Sequence, residues 1–167
     1  MPVTRVFLSL GSNLGDRLGY LRAATAALGR GPRTNIVATS KVYETVPVEV
    51  EEEQPDYLNC VVELECGLPA TELLRYCQGI EAALGREMKG EKAPRTLDVD
   101  VLLYGSGTIA EPDLTLPHMG VARAFNLKAL ADLDAGLYIP GHGTVGELLE
   151  RAEGGGIRTF GEAEELC

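Results

Sequence analysis

The sequence predicts an α+β protein with a ferredoxin-like βαββαβ core, an antiparallel sheet and extra C-terminal helices that complete α/β/α layers. Short segments rich in strand-forming residues alternate with segments of helical apolar spacing, in the order strand, helix, strand, strand, helix, strand. A chain of 167 residues accommodates one such core with room for further helices. These observations together favour one layered domain.

The first three elements are a strand, a helix and a second strand. Residues Arg5 to Ser9 are rich in strand formers, and the turn Gly11-Ser12-Asn13 ends the run. Asp16 is placed to cap the following helix, because its carboxylate accepts from first-turn amides, and Gly29 ends that helix. Residues Asn35 to Tyr43 form the second predicted strand.

The second half of the core repeats this alternation after a long acidic loop, Glu44 to Asp56. A strand is predicted from Tyr57 to Glu65. A helix follows from Thr71 to Leu84, with its apolar residues at helical spacing. The last core strand runs from Leu97 to Tyr104.

Beyond the core, helices are predicted at Ala124 to Ala131 and at Val145 to Arg151. The domain is expected to cover residues 1–152. The glycine-rich acidic segment 153–167 is expected to be a mobile tail.

Charge and hydropathy exclude several classes of protein. The chain has 15 lysine and arginine residues against 25 aspartate and glutamate residues, a formal net charge of −10 that repels nucleic acid. No segment approaches the roughly 20 apolar residues of a membrane span. The N-terminus lacks the order of regions in a signal peptide, so a cytoplasmic protein is expected.

The four cysteines form no CxxC pair and have no histidine at zinc-ligand spacing. They are expected to be reduced thiols, with Cys60 and Cys77 packed in the core.

The clearest chemical signal is the segment Leu97-Asp98-Val99-Asp100-Val101. Because side chains alternate along a strand, Asp98 and Asp100 share one face. Two adjacent carboxylates suit Mg²⁺, which is commonly held by one or two carboxylates together with substrate phosphates. A solvent-facing charged strand is an equally good reading of the spacing alone.

A locally basic segment lies just before this strand. Its cations are Arg86, Lys89, Lys92 and Arg95, and they face two acidic residues. Cations beside a paired-aspartate site are typical of nucleoside triphosphate chemistry, although a basic loop by itself is usually solvated surface. No Gly-Lys-Ser/Thr follows the glycine turn after the first strand, which excludes a P-loop.

Two weaker pairs lie elsewhere in the sequence. Gln78 and Glu81 share roughly one face of the second helix, where an ordinary exposed surface is the alternative. His118 is followed closely by Arg123, although a lone histidine is more often a surface or capping residue.

Taken in order, these segments resemble the 6-hydroxymethyl-7,8-dihydropterin pyrophosphokinase family over about residues 4–150. The matching motifs are Leu10-Gly11-Ser12-Asn13-Leu14-Gly15-Asp16-Arg17, Tyr43-Glu44-Thr45, Gln54-Pro55-Asp56-Tyr57-Leu58-Asn59, Ile80-Glu81 with Gly85-Arg86, Pro94-Arg95-Thr96-Leu97-Asp98-Val99-Asp100, and Leu116-Pro117-His118 with Arg123. The resemblance implies transfer of the terminal diphosphate of ATP to the hydroxymethyl group of a reduced pterin, with release of AMP, in folate biosynthesis. It also implies two Mg²⁺ ions.

The resemblance assigns roles to individual residues. The catalytic set is Arg86, Arg95, Asp98 and Asp100, with both aspartates as metal ligands. The nucleotide-binding set is Gln78, Glu81, Lys89, Lys92, His118 and Arg123. The pterin-binding set is Thr45, Val48, Tyr57, Asn59 and Phe125, in which the two rings stack on the pterin and the polar residues read its edge.

The chain departs from the family pattern in its loops. The segment from Arg86 to Arg95 is one residue shorter than usual, with Met88 where a second arginine is common, and the chain contains no tryptophan. A non-catalytic pterin- or nucleotide-binding paralogue is therefore one alternative. A ferredoxin-like interaction module is a second. The expected partners are ATP and the pterin, with no nucleic acid and no membrane, and the protein is expected to be a monomer.

Overall fold

A computed structural model describes residues 3–46, 56–84, 97–152 and 156–162. The strands are β1 (Thr4–Ser12), β2 (Thr34–Thr39), β3 (Val42–Thr45), β4 (Tyr57–Cys66), β5 (Asp98–Tyr104), β6 (Ile109–Glu111), β7 (Leu114–Leu116), β8 (Tyr138–Ile139), β9 (Gly143–Thr144) and β10 (Ile157–Gly161). The helices are α1 (Arg17–Gly29), α2 (Ala70–Leu84), α3 (Ala124–Asp134) and α4 (Val145–Arg151).

Six strands form one antiparallel sheet in the order β10-β3-β4-β1-β5, with β2 paired to the other half of β4. The remaining strands form two short hairpins, β6–β7 and β8–β9. The predicted α+β class with an antiparallel sheet is confirmed. In this order β1 lies between β4 and β5. The end of β1 therefore lies beside the start of β4 and the start of β5.

Buried side chains on the two faces of the sheet build two cores. On one face Leu8 packs with Leu21 of α1 and Leu73 of α2. On the other face Phe7 packs with Leu127 of α3 and Val145 of α4. Because Phe7 and Leu8 are adjacent in β1, the alternation of side chains feeds both layers. Burying each such side chain contributes about 1.5–3 kcal/mol to the stability of the fold. Helices thus cover both faces of the sheet, and the predicted α/β/α layering is confirmed.

A local signal in the sequence sets the start of α1. The Asp16 carboxylate accepts a hydrogen bond from the Gly19 amide at 3.0 Å, as predicted for a helix cap.

Cys60, Cys66 and Cys77 are buried and free. Burial raises the pKa of Cys60 and of Cys77 to about 12, so both thiols stay protonated and unreactive at neutral pH.

The single strand predicted for Asn35 to Tyr43 is wrong, because the structure divides it into β2 and β3. The break is at Ser40, whose hydroxyl accepts from the amide of Val61 at 2.8 Å while its own amide donates to the carbonyl of Val61. A side chain thus replaces one backbone partner of β4, and the chain steps along the same edge of β4 as two segments.

The C-terminal segment also differs from expectation. The sequence predicts a mobile tail over residues 153–167, whereas residues 157–161 form β10 and pair with β3. Backbone pairing to an open strand needs no apolar pattern, which is why a polar, glycine-rich sequence concealed it. In the described part of the chain, no helix combines the length and the apolar character that crossing a membrane requires.

Candidate active site

A cavity of about 440 Å³ opens at the edge where β1, β4 and β5 meet the start of α3. It is lined by Ser9, Gly11, Thr45, Val46, Tyr57, Asn59, Asp98, Asp100, His118, Gly120, Arg123, Phe125 and Asn126. The fold thus brings together residues far apart in the sequence that the resemblance placed in one site.

Asp98 and Asp100 both reach this cavity from β5. In the antiparallel pairing with β1, Asp98 lies opposite Gly11 and Asp100 lies opposite Ser9. The intervening Val99 is 4% exposed and points into the core, whereas the two aspartates are partly exposed. The strand alternation predicted from the sequence therefore holds, and the paired carboxylates face a concave site.

Glu81 secures the strand between the two aspartates. It lies on α2, is 5% exposed, and its Oε2 accepts a hydrogen bond from the backbone amide of Val99 at 2.9 Å. Gln78 on the same helix is exposed and is not among the residues lining the cavity. The predicted nucleotide contacts of both residues stay predictions, but the burial of Glu81 removes the exposed-helix alternative for it.

His118 is oriented by the turn that precedes α3. Its Nδ1 accepts from the Gly120 amide at 2.9 Å, so the proton of the neutral ring is assigned to Nε2. This Nε2 lies 3.8 Å from Oδ1 of Asp100. Asn126 fixes the same turn, because its Nδ2 donates to the Gly120 carbonyl at 2.8 Å. The imidazole therefore presents a donor to the side of the cavity that holds the carboxylates.

On the opposite side, Asn59 and Thr45 form a buried polar pair. The Asn59 amide nitrogen donates to Oγ1 of Thr45 at 2.8 Å, and each residue is 7% exposed. Tyr57 and Phe125 line the same cavity. An amide and a hydroxyl beside two aromatic rings suit the flat, polar-edged heterocycle that the resemblance implies.

The absence of a side chain at Gly11 leaves room for the side chain of Asn59. A Cβ added at residue 11 would lie 2.9 Å from Oδ1 of Asn59, closer than such atoms approach in real proteins. In the sequence Gly11 belongs to the motif Leu10 to Arg17, which by itself gives this glycine no function. The packing shows the requirement, because the contact crosses from β1 to β4.

Substituting Gly11 by alanine is expected to displace the Asn59 amide and raise the KM for the pterin about tenfold, a loss of about 1.4 kcal/mol of binding. The KM for ATP should change less than about twofold, since the clash involves a residue that the resemblance assigns to the pterin and not to the nucleotide. Steady-state kinetics with each substrate varied in turn would test this. Gly79→Ala is the control, because a Cβ there meets nothing within 4 Å. Equal KM values for the two variants would contradict the expectation.

A second cavity of about 220 Å³ adjoins the first and shares Asp100 and His118 with it. Its other lining residues are Leu74, Val99, Val101, Pro112, Asp113, Leu114, Thr115 and Met119. This cavity could not be predicted from the sequence, because much of its wall is the β6–β7 hairpin. The turn signal Pro112-Asp113 between two short apolar runs was the only local sign of that hairpin.

A protein-family comparison now bears on this site. A family model described as 7,8-dihydro-6-hydroxymethylpterin-pyrophosphokinase (HPPK) matches residues 7–135. The chain belongs to this family. The matched range contains every residue that lines the two cavities.

Curated relatives agree with HPPK membership over most of the chain. A protein of Methylorubrum extorquens named 2-amino-4-hydroxy-6-hydroxymethyldihydropteridine pyrophosphokinase is 39% identical over 156 residues, which are 93% of this chain and 98% of that protein. A Bacillus subtilis protein of the same name is 40% identical over 128 residues, 76% of each chain.

Solved structures show the same fold. A wild-type Plasmodium falciparum HPPK-DHPS with pteroate matches with a TM-score of 0.69 at 15% identity and covers 89% of this chain. This chain spans 44% of that solved chain. At this identity the match shows the fold, and the HPPK fold prediction is confirmed.

Several predicted site residues lie outside the described residues. They are Val48, between β3 and β4 in the sequence, and Arg86, Lys89, Lys92 and Arg95, between α2 and β5. Within the described ranges, no group of three or more histidine, cysteine, aspartate or glutamate side chains is arranged to hold a metal ion.

Proposed function

We propose that this HPPK chain transfers the terminal diphosphate of ATP to the hydroxymethyl group of 6-hydroxymethyl-7,8-dihydropterin and releases AMP, a step of folate biosynthesis. Family membership supports the reaction. The observation that carries the proposal for this site is one cavity that holds Asp98 and Asp100 on one wall and the Asn59–Thr45 pair on another.

The pterin is proposed to bind between Tyr57 and Phe125. Both rings line the cavity, and stacking on a flat heterocycle is favourable for aromatic side chains. The buried amide of Asn59 and hydroxyl of Thr45 would hydrogen-bond the polar edge of the pterin ring. A buried polar group rejects a ligand that leaves it unpaired, so this pair supplies selectivity for pterins.

The smaller cavity is proposed to hold the nucleoside of ATP. Its lining includes the apolar residues Leu74, Val99 and Val101, and an apolar lining suits a purine ring. Because it meets the larger cavity at Asp100 and His118, the phosphates would cross between the two at those residues. Among the described residues, the Nε2 proton of His118 and the guanidinium of Arg123 can donate to the phosphates there.

Asp98 and Asp100 fit a magnesium site of the kind that substrate completes. Two carboxylates leave coordination positions for phosphate and water oxygens, as Mg²⁺ usually requires, and two ions are proposed. When bound, Mg²⁺ supplies neutralisation of the triphosphate charge and polarisation of the pterin hydroxyl.

The chain's own residues chiefly align the reactants. The pterin oxygen attacks the β-phosphorus of ATP, the bond from that phosphorus to the bridging α-phosphate oxygen breaks, and AMP leaves. Asp100 is proposed to orient the hydroxyl group and accept its proton. Arg86 and Arg95, which lie outside the described residues, are proposed to neutralise negative charge on the transferred group. Such alignment supplies several kcal/mol of rate acceleration.

The test is to incubate the purified chain with ATP, MgCl₂ and 6-hydroxymethyl-7,8-dihydropterin. One AMP per pterin diphosphate is expected, and EDTA should stop the reaction. A folded protein that binds a non-hydrolysable ATP analogue and the pterin but forms no AMP would instead be the non-catalytic paralogue. Size-exclusion chromatography would test the expected monomer in the same preparation.

A further inference from the structure

The Glu44 carboxylate lies between two arginines from opposite ends of the chain. Its side chain is 11% exposed. Oε2 accepts from Nη1 of Arg17 on α1 at 2.7 Å, and Oε1 accepts from Nε of Arg158 on β10 at 2.7 Å. The Nη2 group of Arg158 also contacts Oε1. The site proposed above uses none of these side chains, so their arrangement calls for its own explanation.

The same two arginines also contact Asp56, the residue before β4. Nη1 of Arg17 donates to the backbone carbonyl of Asp56 at 2.9 Å, and Nη2 of Arg158 lies 3.5 Å from its carboxylate. Asp56 directly precedes β4, whereas Glu44 lies in β3. These four residues, Arg17, Glu44, Asp56 and Arg158, are called the Glu44 clasp below. The clasp joins the end of β3 to the start of β4.

The backbone of β10 reinforces this connection. Ile157 pairs with Thr45, and the amide of Val46 donates to the carbonyl of Gly156 at 3.2 Å. The ring of Phe160 also lies 5.7 Å from the Arg17 guanidinium, within cation–π range. Besides the ion pair with Glu44, β10 and the residue before it therefore contact Thr45, Val46 and the Arg17 side chain.

The residues held by the clasp are direct neighbours of the pterin side of the cavity. Thr45 and Val46 follow Glu44, Tyr57 follows Asp56, and all three line the cavity. The clasp itself is absent from the cavity wall. Its chemistry can therefore reach the pterin only through the position of these neighbours.

We propose that Arg158, acting through Glu44, is a positioning residue for the pterin. This inference rests on the proposed function. By linking β10, α1 and both strand ends, the clasp fixes Thr45 and Tyr57 relative to each other, and these residues present the polar and aromatic contacts to the substrate. Small errors in such placement weaken the binding of the substrate that these residues contact.

The charge state of Glu44 is consistent with this role. The hydrogen bond from Arg17, with a smaller contribution from Arg158, holds the pKa of the Glu44 carboxyl below its usual value against the opposing effect of burial. The carboxylate is therefore charged at neutral pH and binds both arginines there. Arg158 itself is 70% exposed, so its loss should leave the fold intact.

The test compares Arg158→Gln with the wild type. We expect the KM for the pterin to rise about fivefold, with kcat and the KM for ATP changed less than about twofold. Arg158→Lys keeps the charge but loses the planar guanidinium group. Its KM for the pterin should therefore lie between those of the wild type and Arg158→Gln. Glu44→Gln combined with Arg158→Gln should raise the KM no further than the more affected single variant, because both changes remove one interaction.

Arg151→Gln is the matched control, since Arg151 is an exposed arginine at the end of α4 and lies in neither cavity. Its kinetics should equal those of the wild type. If the wild type releases AMP and Arg158→Gln keeps the wild-type KM for the pterin, this inference fails while the proposed function stands. If the wild type releases no AMP, the proposed function fails and this inference fails with it.

Discussion

Replacing Asp98 by alanine is expected to reduce AMP formation by about 10³-fold or more, because the substitution removes one of two carboxylates proposed to hold magnesium beside the triphosphate. Asp98→Asn should be nearly as inactive, since it keeps the shape and loses the charge. AMP formation would be followed by chromatography of quenched samples. Titration of the variants with magnesium and a non-hydrolysable ATP analogue would show weakened binding.

Stability should move little in the same variants. Asp98 and Asp100 carry like charges on one strand face, so neutralising one relieves their repulsion, and Asp98 is partly exposed and belongs to neither apolar core. The free energy of unfolding in urea should stay within about 0.5 kcal/mol of the wild-type value for Asp98→Asn. Glu111→Gln, which neutralises an exposed carboxylate on β6, is the control for charge alone. Wild-type turnover in Asp98→Ala would refute the metal assignment.

The position of this aspartate pair was predictable because it follows from a local rule. Alternation along a strand places Asp98 and Asp100 together whatever the rest of the fold does. The order of the core elements was predictable for a similar reason, since apolar spacing is read within each segment. The division of the second predicted strand was not, because it depends on a contact between Ser40 and Val61, 21 residues apart.

Features that depend on distant partners were predicted poorly at the site as well. Gly11 matters because Asn59 approaches it from another strand. The strand β10 forms because β3 offers it an open edge, and its own sequence carries few apolar residues. The resemblance supplied Thr45, Asn59 and Phe125 as site residues, but it could not supply the second cavity, whose wall is a hairpin that the sequence barely signals.

Glu81 is the clearest case, because sequence reasoning placed it on a helix face beside Gln78, whereas the structure buries it. A carboxylate is seldom buried without a partner, and here the partner is a backbone amide 18 residues away. The amide belongs to Val99, between the two aspartates. Glu81 therefore holds the backbone of β5 between the two proposed metal ligands.

Replacing Glu81 by alanine is expected to lower the free energy of unfolding by about 1–3 kcal/mol, since the buried Val99 amide loses its acceptor. AMP formation should fall about 10²-fold, because Asp98 and Asp100 lose their fixed placement. Urea denaturation and the AMP assay measure the two effects on one preparation. Glu72→Gln, at the exposed start of the same helix, is the control and should match the wild type.

Glu81→Gln separates geometry from charge at this position. Glutamine keeps an oxygen that accepts from the Val99 amide, so stability and most of the AMP formation should return if Glu81 acts by holding β5. If Glu81 instead contacts the nucleotide or its metal through its charge, Glu81→Gln should be as inactive as Glu81→Ala while remaining as stable as the wild type. The two activities, compared at equal folded fraction, therefore decide between a positioning residue and a nucleotide ligand.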